Sequence, residues 1–178
     1  MTLSAPGILI LGIGNILYTD EGFGIRVIER IQKWYDLPDN VTAVDGGVLG
    51  VHLMGVISRA DHLIVVDIIR NNGRPGDLHR LAGDQIPGRI RAKNSLHQID
   101  FLEALTLCKA LDKVPETVIL GPEPADMETL AIGLTATLEA RVDETIAMVL
   151  AELDRLGVHL QKRIHAHVPG DTFPHYEN

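Results

Sequence analysis

Apolar residues along this chain fall into two spacings. Ile8-Leu9-Ile10-Leu11-Gly12-Ile13 is an unbroken apolar run, the pattern of a strand covered on both faces in a parallel sheet. His62-Leu63-Ile64-Val65-Val66-Asp67 repeats that design and ends on a carboxylate. Between the two runs, Ile25, Ile28, Ile31 and Trp34 recur every three residues beside polar Arg26, Glu29, Arg30 and Lys33. That period predicts an amphipathic helix, which Asp39 and Asn40 end. A second strand is expected over 41–44, running into Asp45-Gly46-Gly47, followed by a short helix over 49–58.

Past Asp67 the pattern loosens. Residues 71–94 are polar and rich in turn formers, with one strand expected over 77–81 at a sheet edge. Ser95-Leu96-His97-Gln98 fits a capping box, in which the Ser side chain accepts from a backbone N–H and the Gln reaches back to the Ser N–H. His97 then lies in the first turn of a helix whose buried stripe is Phe101, Leu102, Leu105 and Cys108. A strand over 117–120 leads into a Gly121-Pro122-Glu123-Pro124 loop. Leu138, Val142, Ile146, Val149, Leu150 and Leu153 then mark a last helix, stopped by Gly157.

Strands alternating with helices define an α/β fold, here a three-layer α/β/α sandwich with a twisted, mostly parallel sheet of about five strands. One domain is expected over 1–160, and 161–178, with His165 and His167 among Pro and Gly, reads as a loosely held tail. In such a sheet, ligands bind outside the carboxyl ends of the strands.

Composition narrows the function. A chain of 178 residues with 46% apolar content has a core large enough to need no staple, since chains of this size bury roughly 70% of their unfolded surface. The single Cys108 excludes an internal disulfide framework and any Cys-x-x-Cys site, and it suits a reducing cytoplasm. A net charge of −8 argues against a nucleic-acid partner, and Arg89, Arg91 and Lys93 read as a solvated loop. No signal peptide or membrane span is visible.

The chemistry left open is that of carboxylates and histidine. Gly12-Ile13-Gly14-Asn15-Ile16-Leu17 resembles a dinucleotide fingerprint, but Leu17 stands at its third glycine and Asp20 and Glu21 would repel a pyrophosphate. No serine lies in a Gly-x-Ser-x-Gly elbow, and Cys108 sits on an apolar stripe. Glu21 follows the first strand, Asp67 ends a strand expected beside it, and His97 opens a helix, so the fold carries all three to one sheet edge. Two carboxylates and an imidazole make an open site for a borderline divalent metal such as nickel or zinc. Each also has a plain structural reading: a first-turn acid, a loop-capping carboxylate and a surface helix residue.

Five motifs in order carry a resemblance. They are Gly12-Ile13-Gly14-Asn15-Ile16-Leu17-Tyr18-Thr19-Asp20-Glu21-Gly22-Phe23-Gly24, Asp45-Gly46-Gly47, Leu63-Ile64-Val65-Val66-Asp67, Ser95-Leu96-His97-Gln98 and Ile132-Gly133-Leu134-Thr135. Over residues 8–156 the chain resembles the NiFe-hydrogenase maturation endopeptidases. The resemblance implies a cytoplasmic hydrolase that removes the C-terminal peptide of the nickel-loaded hydrogenase large-subunit precursor. It also implies that Glu21, Asp67 and His97 contact nickel supplied by that precursor rather than held by the enzyme. Asp45, Gly46 and Gly47 become candidate substrate contacts, with a carboxylate organising its own turn as the other reading of Asp45. Val48 departs from the small hydroxyl residue common in the family at that point, and the tail runs past the family's usual end. A non-catalytic chaperone that checks the same precursor for nickel is the second reading.

Overall fold

Alternation within the apolar runs decides which side of the sheet each residue serves. In β1 (Ile8–Ile13), buried at every position, Ile8 and Ile10 join one apolar cluster, while Leu9, Leu11 and Ile13 join another on the opposite face. The computed structural model describes residues 5–47, 53–86 and 114–165. After β1 come a 3₁₀ turn (Thr19–Gly22), α1 (Phe23–Trp34), β2 (Tyr35–Asp36), β3 (Val41–Gly47), α2 (Met54–Ile57) and β4 (His62–Val66). Then follow β5 (Leu78–Ala82), β6 (Glu116–Pro122), α3 (Ala136–Glu139), α4 (Val142–Arg155) and β7 (Gln161–Lys162).

The main sheet has five strands in the order β3-β1-β4-β6-β5. The first four run parallel, and β5 pairs antiparallel with β6 at the edge. One face is covered by α1 and α4, through Phe23, Val27, Ile28, Ile31, Val142, Ile146 and Val149. The other is covered by Leu53, Ile57, Ile69 and Ile86. The architecture is therefore the expected α/β sandwich with a mostly parallel sheet of five strands.

Strand order places the ligand edge. From β1 the chain turns through α1 to β3 on one side, whereas β6 lies beyond β4 on the other. The crevice at the carboxyl ends of β1 and β4 is thus the switch point of the sheet, where an open α/β fold accepts ligands. Two glycines bring α1 down onto it. A Cβ on Gly24 would stand 2.2 Å from the Val66 carbonyl oxygen and 2.5 Å from that of Ile13, and one on Gly12 would stand 2.5 Å from the Gly24 oxygen. Helix backbone therefore rests directly on strand backbone, which only glycine permits.

The details depart from expectation in four places. β6 continues through Gly121 and Pro122, placed above in a loop, because β5 pairs with it as far as Leu78 opposite Pro122. The last helix is two: Thr135 caps the single turn of α3, its side chain accepting from the Leu138 N–H, and α4 begins after Ala140 and Arg141. Within the stretch expected as a helix over 49–58, the described helical residues are Met54–Ile57. The chain beyond Gly157 is fastened rather than loose as far as Arg163. There β7 pairs with β2, and Arg163 bonds Asp36 at 2.6 Å and the Gln32 carbonyl at 2.9 Å. Residues 166–178, including His167, and the capping box with His97 and Cys108 lie outside the described residues.

The antiparallel edge is tied to α4 by charge. Arg80 of β5 donates two bonds to Glu152, at 2.6 and 3.0 Å, and Arg155 donates a third at 2.6 Å. The Arg80 hydrogen bonds hold the Glu152 carboxyl below the usual range against the opposing effect of burial.

Candidate active site

Glu21 stands in the 3₁₀ turn, three residues before the glycine that seats α1 on β1 and β4. The turn is closed by its own backbone. Asn15 N–H donates to the Glu21 carbonyl at 3.0 Å, Tyr18 N–H to Asn15 at 3.2 Å and Glu21 N–H to Tyr18 at 2.8 Å, while the Asn15 side chain accepts from Leu17 N–H at 3.0 Å. Gly14, at φ +146, lies so close to the Glu21 carbonyl that a Cβ would come within 1.8 Å of it. The amides that a phosphate would use in a dinucleotide loop are thus occupied within the turn.

Beneath Glu21 lies a residue whose role the sequence did not disclose. Asp20 is fully buried, and its carboxylate accepts from Ala125 N–H, Asp126 N–H, Thr135 N–H and the Thr135 hydroxyl at 2.8–3.1 Å. It anchors the loop after β6 to the turn that carries Glu21. Thr19 adds two more ties, its N–H to Ala131 at 3.0 Å and its hydroxyl to the Asp126 carbonyl at 2.8 Å. The sequence signal was present but easily misread. Asp20 sits beside Glu21 in an acidic pair, and Thr135 closes a motif over a hundred residues away.

Asp67 follows β4 directly and is 7% exposed. Its own N–H still pairs with the Leu120 carbonyl at 3.1 Å, and its Oδ1 accepts from Ile68 N–H at 2.7 Å. Gly121 of β6 lies against it: a Cβ there would stand 1.6 Å from the Asp67 oxygen. Glu21 and Asp67 are therefore brought to the same switch-point edge, each on backbone that neighbouring glycines hold in contact. His97 lies outside the described residues. Among the described residues no three His, Cys, Asp or Glu side chains converge as a metal site; Glu21 and Asp67 are the described members of the expected trio.

Asp45-Gly46-Gly47 ends β3 next to β1. The Asp45 Oδ1 accepts from Gly47 N–H at 2.9 Å, and Gly47 takes φ +46, so this carboxylate does organise its own turn. Gly46 is required by packing, since a Cβ would meet the Leu11 side chain at 2.8 Å and the Gly12 carbonyl at 3.0 Å. Asp45 remains exposed at the same edge. On the other flank, Glu123 is buried and accepts from Asn71 N–H at 2.8 and 3.0 Å, with the His79 Nε2 at 3.2 Å. A cleft of about 350 Å³ opens there between Arg70, Glu123, Asp126, Met127 and Glu128.

The fold of this chain is also that of solved endopeptidases. The chain is similar over 88% of its length to the hydrogenase maturating endopeptidase HybD from Escherichia coli, with a TM-score of 0.84, 36% identity and 98% of that structure covered. It is 38% identical to the hydrogenase 2 maturation protease of Escherichia coli, over 85% of this chain and 93% of that one. It is 39% identical to the hydrogenase expression/formation protein HupM of Azotobacter chroococcum, over 89% of this chain and 77% of that one. The hydrogenase maturation protease family matches residues 25–152, and the chain belongs to that family. No helix among the described residues is long and apolar enough to cross a membrane.

Proposed function

We propose that this chain is the cytoplasmic endopeptidase that removes the C-terminal peptide of a NiFe-hydrogenase large-subunit precursor, and that it acts once nickel is in place. The observation that supports the reading is that Glu21, in the turn after β1, and Asp67, directly after β4, follow adjacent strands at the switch point of a fold that the chain has in common with a solved endopeptidase. Nickel is part of the substrate here. Two carboxylate oxygens and the imidazole of His97 would complete its coordination and leave the remaining positions to the precursor's own ligands. A buried acid such as Asp67 suits that task, because a carboxylate held in a low-dielectric edge is stabilised strongly by a cation. Glu21, less buried, is the better placed of the two to act as general base toward water at the scissile carbonyl.

Intact-mass analysis of the nickel-loaded and nickel-free precursors, before and after incubation with this protein, tests the reading. Loss of a C-terminal peptide from the nickel-loaded form alone is the expected result. Complex formation without cleavage of any client would favour a nickel-checking chaperone instead. Glu21→Gln, Asp67→Asn and His97→Ala are each expected to slow processing about 100-fold or more while keeping the native circular dichroism spectrum. Normal processing by all three would remove the trio from the mechanism.

A further inference from the structure

Seven large apolar side chains stand exposed among the described residues, and five of them gather in one place: Ile16, Leu17, Tyr18, Leu130 and Ile132. They belong to two loops that are far apart in sequence and fastened together. Tyr18 bridges to Leu130 and Ala131, Thr19 bonds the Ala131 carbonyl, and Asp20 holds both ends of the second loop through residues 125, 126 and 135. Apolar surface displayed on loops this firmly tied is a built feature and not a frayed edge. Its turn residues, Ile16, Leu17 and Tyr18, lie three to five residues before Glu21, so whatever covers them also reaches the carboxyl ends of β1 and β4, which Glu21 and Asp67 follow.

Charge around the patch has one sign. Residues 13–25 and 121–140 contain no Lys or Arg, and Glu21, Asp126 and Glu128 stand in the same two segments as the apolar side chains. The adjoining cleft sets Glu123, Asp126 and Glu128 against the single guanidinium of Arg70. Asp126 is held ionised below the usual carboxylate range by hydrogen bonds from Thr129 and Glu128. We infer that this platform docks an extended segment of the protein substrate, bearing apolar side chains flanked by lysine or arginine, and positions the scissile bond over Glu21. The inference rests on the proposed endopeptidase reading and deepens it: the metal trio would report maturation, while the platform would select the polypeptide.

Steady-state processing of the nickel-loaded precursor by the Leu17→Ser/Leu130→Ser/Ile132→Ser variant tests this. The three side chains are 52%, 71% and 76% exposed, so the fold is expected to tolerate the change. KM should rise about tenfold or more with kcat within about twofold, the mark of lost uniform binding. Val114→Ser/Ile164→Ser, exposed apolar positions outside the patch, should leave both constants unchanged. Glu128→Lys should raise KM and flatten its dependence on salt. An unchanged KM in the triple variant, a fall in kcat alone, or a salt dependence untouched by Glu128→Lys would overturn the inference. So would a wild-type dimer that the triple variant dissolves, which would assign the patch to a second copy of the chain. The single variants Leu130→Ser and Ile132→Ser decide the matter if the triple variant unfolds. Absence of cleavage by the wild type would instead defeat the endopeptidase reading, a separate result.

Discussion

Asp20 shows how one buried carboxylate can govern a site without touching its chemistry. Four donors converge on it, three of them backbone N–H groups that would otherwise be buried without partners. Replacing it by Ala strands those donors, and a loss of about 3 kcal/mol is expected. For a chain of this size that corresponds to a melting temperature lower by about 6–12 °C, measurable by calorimetry. Processing should fall as well, because the loop carrying Thr135 and the turn carrying Glu21 lose their common anchor. Asp20 and Glu21 are adjacent and chemically alike, so periodicity and spacing could not separate the buried anchor from the acid expected at the site. What separates them is burial, which depends on a loop 105 residues downstream. The position of Asp67, by contrast, was legible in advance, because an acid that closes a buried parallel strand stands at the carboxyl edge of the sheet.

The contacts between elements set the spacing of the site. Gly24 on β1 and β4, and Gly121 on Asp67, replace side-chain packing with backbone contact. Gly121→Ala places a methyl group 1.6 Å from the Asp67 oxygen, so either β6 or Asp67 must move. The expected outcome is a destabilisation of more than about 3 kcal/mol by urea titration, in the upper range for single substitutions. The strands and α1 were legible because continuous apolar runs and a three-residue period leave little choice of element. The extension of β6 through Pro122 was not, since it depends on a partner strand that pairs from 44 residues away in the chain at Leu78. The fastening of β7 to β2 was hidden in the same way: Gln161 and Lys162 have no apolar period, and their order comes from pairing with Tyr35 and Asp36.

At the scale of the whole molecule, acid sensitivity follows from the ties between sheet and helices. Glu152 has its carboxyl lowered by Arg80, so its contribution to stability is complete above the ordinary carboxylate range and fades as pH falls through the lowered value. Thermal melts between pH 7 and pH 3 should therefore show a smaller loss for Glu152→Gln than for the parent, from a lower starting point. Arg80→Ala should cost about 1–3 kcal/mol near neutrality, because it leaves a buried carboxylate with Arg155 alone. Truncation after His165 keeps every tie made by β7 and Arg163, and unchanged processing is expected.

The closed turn around Glu21 has a further consequence for motion. Its amides are donors within the turn or to the neighbouring loop: Asn15 to Glu21, Tyr18 to Asn15, Thr19 to Ala131, Asp20 to Asp126 and Glu21 to Tyr18. These protons should exchange with deuterated solvent at rates set by opening of the surrounding domain rather than by fluctuations of a surface loop. Glu21 then rides on a segment as slow to open as the strands beneath it. If Glu21 acts as proposed, accommodation between the two proteins would fall mainly to the substrate's polypeptide, which would bend to meet a carboxylate carried on rigid backbone.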